Sequence, residues 1–309
     1  MKVLLPIIYH DLTRCIARAF ENAGHEVMVV DWRRHSKEAN RHKVEPMCID
    51  AARKFRPDFC FAQFQSSGLI TDRFPKLLQD LGCFSVNWSG DVRHPLPDWY
   101  KQVAPFFSVT AFTNTTDVEE IRALGYRSEF LQIGLDMDLY TDAGAGERSG
   151  VVFIGNNYGG YKFAESGTRR DMVDAMCTQF GDDFKVYGVS WEHTGKNNGG
   201  YVREPADAHI LRKALVAVGM DHFFRPGFAS DRLLRATACG CATVNYHYDG
   251  IEKEHPHVGD AYSIPDMVRM VRYALNNPEL ALAVGKDAAK WTREHHTWDE
   301  RVKQMMTWM

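Results

Sequence analysis

No stretch of the 309 residues is apolar for as long as a membrane span requires, which excludes a spanning helix as an organising element. The early apolar run Val3 to Ile8 is too short and too poorly flanked for a signal peptide. A dominant charge is missing too. The formal net charge is −3, so no global field draws the chain to nucleic acid or to a membrane. Cysteine is sparse, with seven residues, and most of them lie in apolar segments. They read as reduced, buried thiols and point to a cytoplasmic location. Cys239 and Cys241 form C-x-C rather than C-x-x-C, so no redox or zinc role is expected. No G-x-G-x-x-G follows the first apolar run; Tyr9-His10-Asp11 stands there instead, which argues against NAD or FAD in the first half. His247, His255 and His257 fit no familiar zinc spacing and read as a solvated loop. Asp136-Met137-Asp138 has the letters of a D-x-D metal motif but falls in a turn between the two halves, so no metal is expected.

What is present is ordinary soluble-protein composition, 45% hydrophobic and 25% charged, with enough length for two domains. Strand-like and helix-like patterns alternate from the start. Strands are expected at Lys2–Ile8, Glu26–Asp31, Asp58–Phe64, Cys83–Trp88, Phe107–Thr113 and Ser128–Ile133. Helices are expected at Asp11–Ala23, near Glu45–Phe55, near Thr71–Leu81 and at Thr116–Leu124. Continuous apolar strands between helices imply a parallel sheet covered on both faces. Gly134 to Gly150 breaks the pattern, and Ala143 to Gly150 is small and polar enough for a linker. A second series then begins at Val151, with helices near Thr168–Phe180 and at Ala206–Val218 and strands at Phe184–Gly188, His222–Phe224 and Ala242–Tyr246. The end is helical, and the stripe Trp298, Val302, Met305, Met306 and Met309 reads as packing. These patterns divide the chain into 1–140, 151–295 and a terminal helix, 296–309. Two doubly wound α/β domains in tandem place their ligand crevice between them, at the carboxyl ends of both sheets.

The most informative stretch is Arg225 to Val244, RPGFASDRLLRATACGCATV. A turn leads into a short helix near Ser230, which stops at Gly240 before an apolar strand. Helix starts offer unpaired backbone N–H groups and partial positive charge, and Arg225 and Arg232 flank this one. Two readings fit: a phosphate-binding helix, or a plain helix–turn–strand unit.

Five patches together resemble the GT-B glycosyltransferases, closest to the spore-maturation-protein-like group and the large retaining family that uses nucleotide sugars. They are Trp88-Ser89-Gly90-Asp91; Ile133-Gly134-Leu135-Asp136 with Tyr140; Val152 to Asn156; Val186-Tyr187-Gly188 with Trp191; and the Arg225 to Val244 unit. The resemblance covers nearly the whole chain. It implies two Rossmann-like domains facing each other across a cleft, and metal-independent hexosyl transfer from a nucleotide diphosphate sugar, with UDP-sugar the preferred donor and retention the preferred outcome. By resemblance the second domain binds the donor. Gly155 and Asn156 line the phosphates, Tyr187, Trp191 and Val202 flank the base, and Arg225 with the amides of Ala229 and Ser230 holds the diphosphate. The retaining family's two motif glutamates are missing here. The sugar-contacting position falls at Gly227 and the ribose position at Arg235. Asp231 is one candidate replacement, Asp249 or Glu252 another, and Arg235 a candidate phosphate ligand.

The first domain is expected to bind the acceptor. Asp91 is the preferred catalytic carboxylate and His10 the second candidate, a base or a surface residue beside a capping Asp11. Arg93 joins Asp91 in a polar acceptor site. The segment Arg33 to Lys43 carries five cationic residues and two histidines against Glu38. It is either a solvated loop or, through Arg33 and Arg34, a holder for a polyanionic acceptor. Hydroxymethylated pyrimidine in phage DNA is one acceptor to test, and a glycan or small molecule another. A non-catalytic two-domain binding protein, or a sugar-nucleotide epimerase, is the rival reading. The chain is expected as a monomer or homodimer.

Overall fold

The structure is a computed structural model, and it describes residues 1–7, 14–33, 37–159 and 162–309. The chain divides into two compact units, Met1–Gly134 with Trp298–Met309, and Leu135–Thr297.

The first unit is built on six parallel strands: β1 (Lys2–Ile7), β2 (Glu26–Asp31), β3 (Phe59–Ala62), β4 (Phe84–Ser89), β5 (Val109–Phe112) and β6 (Ser128–Phe130). Their order is β2-β1-β3-β4-β5-β6, with Val3 opposite both Val27 and Phe59. Side chains alternate across the sheet. Val3, Leu5, Phe59 and Phe61 join a core under α1 (Arg14–Asn22), while Leu4, Cys60 and Ala62 join another under α2 (Val44–Phe55) and α3 (Arg73–Asp80). Two more helices follow, α4 (Asp98–Val103) and α5 (Thr115–Ala123). The latter starts where the Asn114 side chain accepts from the Asp117 amide.

The terminal helix α12 (Trp298–Met306) belongs to this unit. Its Trp298, Val302 and Met305 enter the α1 core, whereas Met309 is exposed. The Trp298 ring meets Trp88 edge-on at 5.3 Å and Phe61 at 6.0 Å.

The second unit has five parallel strands: β7 (Ser149–Ile154), β8 (Phe184–Tyr187), β9 (Ala214–Gly219), β10 (Ala242–Tyr246) and β11 (Gly259–Ala261), in the order β11-β10-β9-β7-β8. One face carries α6 (Ser166–Phe180) and α10 (Ile264–Asn276), joined with Val151, Phe153, Val216, Val218 and Val244 in one core. The other carries α7 (Ala206–Lys213), α8 (Asp231–Ala238) and α11 (Pro278–His295), and a short α9 (Ile251–Glu254) follows β10. The sequence reverses direction of winding between β7 and β9, which makes the carboxyl ends of those two strands the switch point.

Two expectations are corrected here. Ala206–Val218 is not one helix: it turns from helix to strand at Ala214, and Ala214–Gly219 is the central strand β9. His222–Phe224 is irregular instead. The reason is that ALVAVG is apolar at nearly every position, because both of its faces are buried, and such a run has no period that separates strand from helix. The second correction concerns 135–148, which runs against the second unit. Tyr140 is buried and donates to Asp207, and Arg148 donates to the carbonyls of Leu211, Ala214 and Cys239. No described helix is long and apolar enough to cross a membrane.

Because Trp298 is almost fully buried, Trp298→Ala should cost about 3–5 kcal/mol in the first unit's stability, as large aromatic truncations in cores do. Equilibrium denaturation measures it, and a loss under about 1 kcal/mol would show that α12 is not part of that core.

Candidate functional site

The polar residues of the second unit gather at the carboxyl edge of its sheet. After β7, Gly155 and β8 are sewn together: the Gly155 amide donates to the Tyr187 carbonyl at 2.8 Å, and the Asn157 amide to Val189 at 2.9 Å. Asn156 Oδ1 accepts from the Val189 amide at 3.0 Å. Gly188 is required here. Its φ is +144°, and a Cβ would lie 2.2 Å from the Gly155 carbonyl oxygen. Trp191 differs from expectation. It is fully buried, its Nε1 donates to the Gly155 carbonyl at 2.6 Å, and it stands edge-on to Phe153. It therefore fixes the β7 and β8 loops as a core residue and offers no face for a base to stack on. Tyr187 is half-buried against Gly199, and Val202 is half-buried in the segment beyond Gly200, whose carbonyl accepts from Gly188.

The loop after β9 holds a cationic cluster. Asp221 is buried, and its carboxylate accepts from the Ser230 amide and from Arg232 Nη2, both at 3.3 Å. The amide expected to hold phosphate thus already faces a carboxylate, and Ala229 is fully buried. Arg225 is half-buried, with its carbonyl accepting from Phe228. Beneath the loop lies Arg169 of α6, 1% exposed. It donates to the Met220 carbonyl at 2.5 Å and to His222 Nε2. Burial, reinforced by Arg232, pulls the Arg169 pKa down to about 9. Burial, together with Arg169, Arg232 and Lys162, pushes His222 down to about 3. His222 is therefore neutral near pH 7. Tyr158 and Phe163 flank its ring at 4.8 and 4.9 Å, and Lys162 lies over both aromatics.

Arg235 takes a different part from the phosphate ligand expected of it. Its guanidinium holds Asp207 at 2.9 Å, Asp231 at 2.5 Å and Glu204, so its charge is already compensated. Burial alone would lower its pKa; these carboxylates and Tyr140 outweigh that and raise it. Burial raises Glu204 above the usual carboxylate range. Asp231 stays below that range, because Arg235 and Arg232 outweigh its burial. Asp231 is consequently tied into the helix, as an i,i+4 partner of Arg235, rather than turned freely toward a sugar. A narrow cleft separates this network from the strand ends, lined by Ile154, Gly219, Ser230, Arg232, Arg235 and Asn245.

The loop of three histidines is ordered around partners. His247 Nδ1 lies 3.0 Å from Asp260 and its ring stacks on exposed Tyr262 at 4.1 Å; burial lowers its pKa, but Asp260 and Asp249 outweigh that and raise it. His255 is buried and stacks on His296 at 4.5 Å, so the solvated reading fails for it. Among the described residues no three His, Cys, Asp or Glu side chains group to hold a metal ion. The Asp136 carboxylate instead accepts from the Asp138 amide, closing its own turn.

In the first unit, Asp91 is exposed and Arg93 lies 3.7 Å away. Gly90 has a packing reason: a Cβ there would sit 2.4 Å from the Trp88 ring, whose Nε1 is anchored on Leu131. Arg33 is exposed, its amide bound to Asp31. His10 and Arg34 lie outside the described residues.

Sequence reading overlooked Arg169, His222, Glu204 and Asp207. Only Arg169 carried a signal. It precedes Met172, Val173, Met176 and Phe180 at helical spacing, so a cation sits on the buried face of α6.

Replacing Arg235 by Met should leave Glu204, Asp207 and Asp231 crowded without their cation. A destabilisation of about 3–5 kcal/mol is expected near pH 7. The deficit should shrink as pH falls below ~4, where protonation removes the repulsion. A deficit that grows on acidification would contradict the network. Thermal melts across pH measure both.

Residues 169–307 match the model of a family described as glycosyl transferase-like, a stretch that begins at Arg169 and takes in α8 and the whole histidine loop. No curated protein matches the chain in sequence. Among solved structures, a glycosyltransferase from Rickettsia africae superposes with a TM-score of 0.67 at 8% identity, over 99% of this chain and 97% of that one. The sucrose-phosphate synthase of Thermosynechococcus elongatus gives 0.62 at 12% identity, over 99% and 97%. Anabaena HepE in complex with UDP and glucose gives 0.63 at 11%, over 99% and 98%. Residues 169–307 thus match the glycosyl transferase-like family, and the whole chain, with its two parallel sheets of six and five strands, shares the fold of these structures.

Proposed function

We propose that the chain transfers a hexosyl group from a UDP-sugar to an acceptor hydroxyl, with retention of anomeric configuration. The observation that carries this is the convergence of Lys162, Arg169 and Arg232 on the switch point of the second sheet. Only Arg232 among them has a carboxylate within ion-pair distance among the described residues. Fixed cations at that point suit a diphosphate, and they stabilise the charge that develops on the nucleotide as the glycosidic bond breaks. The charge a metal would bring is supplied by the protein itself. UDP is favoured because HepE, similar in fold over its whole length, has been solved with UDP and with UDP-glucose. Arg225, Gly155 and Asn156 border the same edge and complete the donor site.

Asp91 is the carboxylate we assign to the acceptor side. It is exposed, and Arg93 beside it keeps it ionised and oriented. The basic segment 33–43 favours a polyanionic acceptor, and DNA with hydroxymethylated pyrimidines is its specific form.

Two variants separate the halves of the reaction. Arg225→Ala should weaken UDP binding by about 1–3 kcal/mol, as loss of a charge-assisted bond does; calorimetry showing unchanged affinity removes Arg225 from the site. Asp91→Asn should bind UDP like the parent yet release no UDP from UDP-glucose with acceptor present, and full turnover returns Asp91 to a turn role. Acceptor binding that falls steeply with salt supports DNA, and salt-insensitive binding points to a glycan.

A further inference from the structure

We propose that His222 is a ligand-binding residue, whose Nδ1–H, set by Arg169, donates to an anionic oxygen of the donor's diphosphate. The inference rests on the donor-site reading above and assigns its innermost contact. A guanidinium has donors and no acceptor, so the nitrogen that Arg169 meets, Nε2, must carry the lone pair. The ring is neutral, and its one proton is therefore on Nδ1. That atom is shut off from solvent and has no hydrogen-bond partner among the described residues. Arg169 Nε is in the same condition. Two N–H donors, one on a side chain 1% exposed, are thus buried together without acceptors at the carboxyl end of the central strand.

Leaving buried donors unpaired costs on the order of 1–3 kcal/mol each. The charge around them selects the missing partner. Arg169, Arg232 and Lys162 all act on the imidazole, and Asp221 nearby is already engaged by Ser230 and Arg232. A neutral acceptor would satisfy the geometry alone; an anionic oxygen satisfies geometry and charge together. Tyr158 and Phe163 lie against the ring, so the incoming oxygen must shift one of them.

The test uses the full chain labelled with 15N-histidine, with UDP, inorganic pyrophosphate and uridine as separate probes. His222 should show the Nδ1-protonated neutral form between pH 5.5 and 8, values set well above its depressed pKa. UDP and pyrophosphate should each move the Nδ1–H signal downfield, and uridine should leave it in place. His222→Ala should weaken both phosphate probes about ten-fold. His222→Asn, whose amide nitrogen stands where Nδ1 stood and still donates, should recover affinity to within about three-fold. A proton on Nε2, an unmoved signal on saturation with UDP, or equal affinity of a folded His222→Ala overturns the assignment. A signal that moves with pyrophosphate while UDP binds no tighter upholds the anion contact and defeats the nucleotide-sugar reading instead.

Discussion

A parallel sheet covered on both faces has only its strand ends left for polar work. Val151 and Phe153 of β7 and Leu215, Val216 and Val218 of β9 are committed to a helix layer, and backbone groups are consumed by pairing. What remains is the carboxyl edge, where loops replace pairing and amides, carbonyls and charged side chains become available. In the second unit this edge is tightly built. Gly155, Gly188 and Trp191 lock two loops by backbone contacts that leave no room for a Cβ or for a swinging indole. The third loop, after β9, is held from below by Arg169 and from the side by Asp221. Rigidity of this kind suits the proposed donor site, because stabilisation of a leaving diphosphate depends on donors already in place.

The arginines at this edge differ in how far the protein neutralises them. Among the described residues, Arg235 has three carboxylates, Arg232 has one and Arg169 has none within ion-pair distance. The first is structural: it joins α8 to α7 and, through Asp207 and Tyr140, to the segment entering the unit. The last is the expensive one, since burial of an uncompensated guanidinium is unfavourable and pulls its pKa downward. Such a cost persists when something outside the chain completes the arrangement. The gradient from Arg235 to Arg169 therefore separates the charge that holds the fold from the charge assigned to the proposed ligand.

Much of the fold was legible because buried strands announce themselves as apolar runs and helices as spaced ones. α8 was readable from Ser230 at its start and Gly240 at its end. β9 was not, since a strand buried on both faces loses the alternation that identifies it. The partners of the candidate site residues were not legible. Position in a motif picked out Ser230, Arg235 and Trp191, yet the partners that decide their roles are distant in sequence: Asp221, Asp207 and Gly155. Arg235 and Ser230 look available on a line of letters; only the folded chain shows that carboxylates already occupy them. Arg169 is the converse, a cation whose helical register alone foretold its burial.

The most direct test of an anion site at the β7 and β9 ends is a crystal structure of the chain with UDP bound. The account predicts phosphate oxygens within hydrogen-bond reach of Arg232 and His222, with Arg235 still held by Glu204, Asp207 and Asp231. UDP seated with its phosphates elsewhere, and His222 Nδ1 still without an acceptor, would contradict it.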